Sequence, residues 1–173
     1  MTARGNVNGT HKTPVKVALH DPAIVFGNTF AELLRKNGIS VGEVKHVLQD
    51  TEKAKGRLLF THKTPLLTVL TKSNTQSYNL YAESLLKRIS AQATGRSGTF
   101  DEGGSVVEAV IHQRLHEKYR GVVAADGSGM SRKNQISPRI LALWLASFDL
   151  IDPAGKSLLQ SLATPGSGTL DNR

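Results

Sequence analysis

The sequence predicts an α+β domain in which helices dominate. Five segments carry an apolar stripe at helical spacing together with a start or stop signal. Short β-branched or apolar runs stand between them beside turn residues. A chain of 173 residues is also long enough to close one domain around a real core.

The helices follow in order. Asp21-Pro22 is an N-cap and first helical residue, Asn37-Gly38 is the stop, and Phe26, Phe30, Leu33 and Leu34 share a face between them. A second helix follows Ser77, with Tyr81, Leu85, Leu86 and Ile89 on one side. A third is expected to begin at Ser105, where Ser105 and Glu108 have capping-box spacing, with Val107, Val110, Ile111 and Leu115 as its stripe. The fourth starts at Ser137-Pro138 and carries Ile140, Leu141, Trp144, Leu145 and Phe148. The fifth starts at Asp152-Pro153 and carries Leu158, Leu159 and Leu162.

Strand candidates are Val15–Leu19, Arg57–Thr61 and Gly121–Ala125, while Val41–Leu48 fits a strand and a helix about equally well. Their interspersion among helices gives the α+β class. Residues 1–14 are a polar lead-in. The Gly/Ser/Thr-rich stretch 92–104 is expected to be an exposed loop, and 164–173 a similar tail. No closing strand or helix precedes Arg173, so truncation is expected. The tetrapeptide HKTP occurs at His11 and at His62 with no repeat around it.

Composition narrows the function classes. Without cysteine there are no disulfides, thiolate metal sites or cysteine nucleophiles. No apolar run approaches the roughly 20 residues of a membrane span, and the N-terminus has no signal-peptide h-region. The formal charge of +8 could attract nucleic acid, anionic lipid or an acidic polymer such as cell wall. The Lys and Arg residues are spread, and aromatics are too few for a base-stacking platform. The plainer reading is a solvated basic surface, with no nucleic-acid partner.

The stretch Lys63–Ile89 is the most informative. Ser77-Tyr78-Asn79 forms an S-x-N where one apolar helical segment ends and the next begins. A chain of this length contains S-x-N by chance about half the time, and Ser77 could be a simple helix N-cap. Its surroundings alter the odds. A Thr-Pro-Leu-Leu lead-in precedes it, and Asn-Leu-Tyr-Ala-Glu-Ser-Leu-Leu continues from it. Further on stand Asp126-Gly127-Ser128-Gly129-Met130-Ser131-Arg132-Lys133-Asn134 with Pro138, then Pro165-Gly166-Ser167-Gly168-Thr169-Leu170 with Arg173. Asp21-Pro22-Ala23 opens the series.

Four segments in this order resemble the class C low-molecular-mass penicillin-binding proteins, the D-alanyl-D-alanine carboxypeptidase/endopeptidase family, over about residues 15–173. Ser167 stands where that family usually has Asp, and Tyr78 replaces the commoner Asp of S-D-N. The resemblance implies part of a penicillin-binding, serine β-lactamase-like transpeptidase fold. It implies an acyl-serine mechanism without metal or cofactor, acting on peptidoglycan stem peptides and inhibited by β-lactams, in a periplasmic or extracellular protein. It assigns a catalytic role to Ser77, as a proton-relay hydroxyl, and to Asn79, which would also bind substrate.

Two of the family's motifs are missing. No S-x-x-K lies upstream of Ser77, and no K-T-G is present; Lys12-Thr13-Pro14 and Lys63-Thr64-Pro65 lack the glycine. The literal S-x-x-K at Ser84–Lys87 falls on the helix after S-x-N and reads as a decoy. The chain alone is therefore expected to be inactive. Glu108, His112 and His116 could share a helix face as metal ligands, but H-E-x-x-H is absent and a solvated helix is the simpler reading. The G-S-G-M-S turn is neither a nucleophile elbow nor a dinucleotide loop. A non-catalytic cell-wall-binding module is the alternative from another class, and a basic nucleic-acid-binding domain ranks behind it.

Overall fold

The computed structural model describes residues 19–46, 57–116 and 121–172. The chain divides into two compact units, Met1–Leu59 and Phe60–Arg173. The polar lead-in 1–14 and most of the strand candidate Val15–Leu19 lie outside the described residues.

In the first unit, α1 spans Pro22–Lys36. Asp21 caps it by accepting from the Ile24 N–H at 3.0 Å, and Asn37 closes it ahead of Gly38, whose φ is +79°. Both ends are where Asp-Pro and Asn-Gly place them. The Arg35 guanidinium donates to the carbonyls of Val41 and Gly42, which folds the following segment back onto α1. A Cβ on Gly27 would come within 2.8 Å of the Val44 side chain, so the two pieces touch there. His46 Nδ1 lies 2.8 Å from Asp21 Oδ2. The expected apolar face does not close a core among the described residues: Phe26 and Phe30 stack at 6.3 Å with both rings exposed, and Ala31 is the buried residue.

The second unit holds α2 (Leu66–Asn74), α3 (Asn79–Thr94), α4 (Phe100–Leu115), α5 (Pro138–Ala146), α6 (Pro153–Ser161) and a 3-10 turn at Gly168–Leu170. Helix α3 packs on α4 and α2, α2 packs on α6, and α4 packs on α5. The core is Ile111 of α4, Val122 and Ile140 of α5, flanked by Val107, Leu115 and Trp144. Ser137 and Asp152 cap α5 and α6 through the Ile140 and Gly155 N–H groups, as the Ser-Pro and Asp-Pro pairs predict. The Arg114 guanidinium lies 4.3 Å from the Phe148 ring and donates to the Ser147 carbonyl at 2.7 Å, tying α4 to the end of α5.

Two expectations are corrected here. Helix α4 starts at Phe100, not Ser105, and residues 92–104 are not one exposed loop: 92–94 end α3, 100–104 begin α4, and Gly103 and Gly104 are buried. Thr99 is the N-cap, accepting from the Glu102 N–H at 3.2 Å, while Ser105 donates back to the Asp101 carbonyl within the helix. Glu102 also accepts from the fully buried Ser90 hydroxyl, which in turn accepts from the Thr99 N–H, so the short connection 95–99 is tied across to both helices. The second correction concerns strands. Among the described residues there is none; Gly121–Ala125 contributes a single antiparallel bridge, Val123 to Gln135, while 41–46 and 57–61 have no regular structure.

Two outcomes test this packing. A Cβ on Gly104 would fall 2.0 Å from the Ala124 carbonyl oxygen, a backbone atom that cannot swing away. Gly104→Ala is expected to lower stability by about 1–2 kcal/mol in urea denaturation, despite a helix-propensity gain of about 1 kcal/mol. In the first unit, the Ile24 N–H and then His46 hold the Asp21 carboxyl below its ordinary range. A lowered folded-state pKa gives stability that is present above the unfolded value and lost as pH falls through the folded one. The protection factor of the Ile24 amide, its exchange rate corrected for the intrinsic pH dependence, should therefore fall on acidification, and Asp21→Asn should abolish that acid limb.

Candidate active site

Ser77, Tyr78 and Asn79 form the turn between α2 and α3. Helix α2 ends with Thr75 N–H bonded to the Thr71 carbonyl, and the chain then closes with Tyr78 N–H donating to the Lys72 carbonyl at 3.1 Å. Closing that loop places Ser77 at φ +54°, in the left-handed region. A side chain with a Cβ is held there at a cost of about 1–2 kcal/mol. Such strain persists when the surroundings over-determine it.

Ser77 is not the helix cap. The N-cap of α3 is Tyr78, and no side chain caps that terminus. Ser77 and Asn79 are both exposed, and neither side chain is hydrogen-bonded to another described residue. The turn thus presents a hydroxyl and a carboxamide two residues apart, both exposed and without a side-chain hydrogen bond among the described residues. Beside them the Tyr78 ring stacks at 6.2 Å on Tyr81, and Lys72 Nζ lies 5.8 Å from the Tyr78 centroid.

The turn is gripped from two sides. On its N-terminal flank Asn74 donates to the Ser161 hydroxyl at 2.7 Å, and the Thr75 hydroxyl donates to the Ser161 carbonyl. The Thr75 carbonyl accepts from the Thr169 N–H at 3.1 Å. A Cβ on Gly168 would fall 2.1 Å from that same carbonyl oxygen, so the 3-10 turn rests directly on α2's end. The stretch 164–172 is largely exposed, as expected of 164–173, but it carries the 3-10 turn that touches Thr75; Arg173 lies outside the described residues.

On the other flank, the 126–134 loop sits on α3. Glu83 Oε2 accepts from the Gly127 N–H at 3.0 Å, and Oε1 from the Ser128 hydroxyl. Asp126 accepts from the Gly129 and Ser131 N–H groups and from Asn134 Nδ2, while Asn134 Oδ1 accepts from the Ala125 and Asp126 N–H groups. Burial pushes the Asp126 carboxyl up, but hydrogen bonds from Asn134, Ser131, Gly129 and Met130 outweigh it and leave the group below its ordinary range.

The other sequence candidates are not assembled. Ser84 is exposed on α3 and donates to the Leu80 carbonyl, and Lys87 lies over the Phe100 ring at 4.6 Å. Glu108 accepts from the Ala124 N–H, and His116 has left the helix at φ +50°.

The pattern description of the D-Ala-D-Ala carboxypeptidase 3 (S13) family matches residues 1–173. This chain belongs to that family. It is 33% identical over 144 residues to a D-alanyl-D-alanine carboxypeptidase of Actinomadura sp., a match covering 79% of this chain and 24% of that protein. It is 30% identical over 96 residues to D-alanyl-D-alanine carboxypeptidase DacB of Haemophilus influenzae, covering 55% and 20%. Among solved structures, penicillin binding protein 4 of H. influenzae in complex with a β-lactam superposes with a TM-score of 0.73 at 26% identity, covering 91% of this chain and 36% of that one. The chain therefore spans a quarter or less of the curated relatives it matches, and its helix-rich architecture is part of the penicillin-binding-protein fold.

Thr75 and Ser161 went unremarked in the sequence, and Glu83 and Asn134 stood there only as members of resembling segments. The Ala-Glu pair after S-x-N was a signal for Glu83, because a carboxylate one turn after the motif lies on the same helix face as Asn79. Left-handed geometry at Ser77 has a direct test. Ser77→Gly is expected to raise stability by up to about 1 kcal/mol, and Ser77→Val to lower it by more than about 1 kcal/mol, both read by urea denaturation.

Proposed function

We propose that this chain supplies the S-x-N portion of a serine-type D-Ala-D-Ala carboxypeptidase or endopeptidase acting on peptidoglycan stem peptides. The observation that carries the reading is the pair of a strained, exposed Ser77 hydroxyl and an exposed Asn79 carboxamide, neither bonded to another described residue. The related D-alanyl-D-alanine carboxypeptidases support the same chemistry.

In that reaction a nucleophilic serine attacks the carbonyl of the D,D-peptide bond. The C–N bond breaks to leave an acyl-serine, and water later hydrolyses the ester. The departing amine needs a proton, and in this reading Ser77 Oγ relays it. Asn79 can donate its amide N–H to a substrate carbonyl and accept a backbone N–H with its oxygen. The intact protein would be exported and would be acylated by β-lactams. No helix among the described residues is long and apolar enough to cross a membrane.

The 173 residues hold no S-x-x-K in the family's register and no K-T-G, so the chain alone is inactive in this reading. Positioning and relay groups do not substitute for a nucleophile. The charge of +8 favours one competing role, a non-catalytic module that holds acidic wall polymer.

Recombinant chain should release no D-alanine from a D-Ala-D-Ala peptide beyond its Ser77→Ala variant; faster release by the unaltered chain would overturn the inactivity. The H. influenzae enzyme carrying this chain in place of its matching segment should be acylated by a β-lactam, and Ser77→Ala in that chimera should slow acylation by about 100-fold or more. Equal acylation by both chimeras would remove Ser77 from the reaction. Salt-sensitive binding of the chain to peptidoglycan, undiminished by Ser77→Ala and Asn79→Ala, would favour the binding module.

A further inference from the structure

We propose that Glu83 is a positioning residue: it locks the 126–131 loop onto the first turns of α3 and so fixes where Ser77 and Asn79 point. The proposal deepens the peptidase reading and rests on it for the meaning of those two side chains, although the geometry stands without it.

Neither the Ser77 nor the Asn79 side chain is hydrogen-bonded to a described residue, so their directions follow the backbone of the α3 N-terminus. No side chain caps that terminus. A helix end without a cap frays unless tertiary contacts hold it.

Glu83 supplies the contact on this flank. It stands four residues after Asn79, one turn along the same face. Its two oxygens are both used, on the Gly127 N–H at 3.0 Å and on the Ser128 hydroxyl. A Cβ on Gly127 would lie 2.2 Å from the Ala82 carbonyl oxygen, so the loop rests on the backbone of α3 itself. The loop is stiff in its own right, through Asp126 and Asn134, and is anchored by the Val123–Gln135 bridge. A rigid body is therefore bolted to the turn that follows the motif, and one carboxylate is the bolt. Bonds from neutral donors to a charged acceptor are the stronger kind, so this single group carries more than a surface pair would.

The test uses the full 173-residue chain labelled with ¹⁵N and ¹³C, as Glu83→Gln and Ser128→Ala variants. Glutamine keeps one carbonyl oxygen and turns an NH2 toward the other donor, so one of the two bonds is lost; Ser128→Ala removes the hydroxyl bond alone. In Glu83→Gln, amide exchange at Gly127 should quicken about tenfold or more. The Ser77 resonances and the Asn79 side-chain amide should shift with it, while α5 amides stay within about twofold of the parent. Ser128→Ala should move the same signals in the same direction by less.

Loop opening with Ser77 and Asn79 unmoved would overturn the proposal, since the motif would then hold its aim alone. Equal acceleration of every amide, α5 included, would overturn it in favour of a general brace. Should Glu83→Gln unfold, Ser128→Ala decides by the same comparison. Failure of the peptidase reading would show separately, as unchanged acylation in the Ser77→Ala chimera.

Discussion

Helix α3 is approached at backbone distance from several directions, and the rest of the second unit depends on that closeness. Gly103 sits against the Leu86 carbonyl, Gly98 against Lys87, and Gly127 against Ala82. At each point a side chain as small as a methyl would push the neighbour away. The contacts differ from ordinary side-chain packing, because a backbone oxygen cannot change rotamer to make room. They also bring polar groups together, and those are satisfied locally: Ser90 and Glu102 tie the α3–α4 connection, and Glu83 holds the loop.

Several hydroxyl groups in this unit serve the fold directly. Ser90 and Ser161 are fully buried, and their oxygens both donate and accept. Ser84, Ser105 and Ser157 fold back on helix carbonyls four residues earlier. Ser77 does neither, and its backbone is strained. An exposed hydroxyl kept in an unfavourable conformation contributes nothing to the fold that glycine would not. That contrast separates it from its neighbours better than the S-x-N pattern does.

Much of this was legible in the sequence, where local chemistry decides the outcome. Asp21-Pro22, Ser137-Pro138 and Asp152-Pro153 fix helix starts because a capping oxygen and a preset φ act within three residues. The start of α4 was misread because Gly103 and Gly104 look like loop residues; they are helical because α3 and Ala124 lie too close for anything larger. Gly121–Ala125 reads as a strand from its apolar run, yet only Val123 finds a partner. The S-x-N pair and its family were readable from motif order. Its supports were not, because Thr75 to Ser161 and Glu83 to Gly127 join residues with no shared local pattern.

Those long separations bear on how the protein is made. The α3–α4 pair is joined by residues 95–99 and can form soon after it leaves the ribosome. The turn that holds Ser77 is finished only when Ser161 and Thr169 reach Thr75, some ninety residues later in synthesis. Until then the serine can relax out of its left-handed conformation. A ribosome that stalls between the two stretches would carry a helical hairpin with no organised S-x-N turn, so maturation of the motif is tied to the later stretch that carries Ser161 and Thr169.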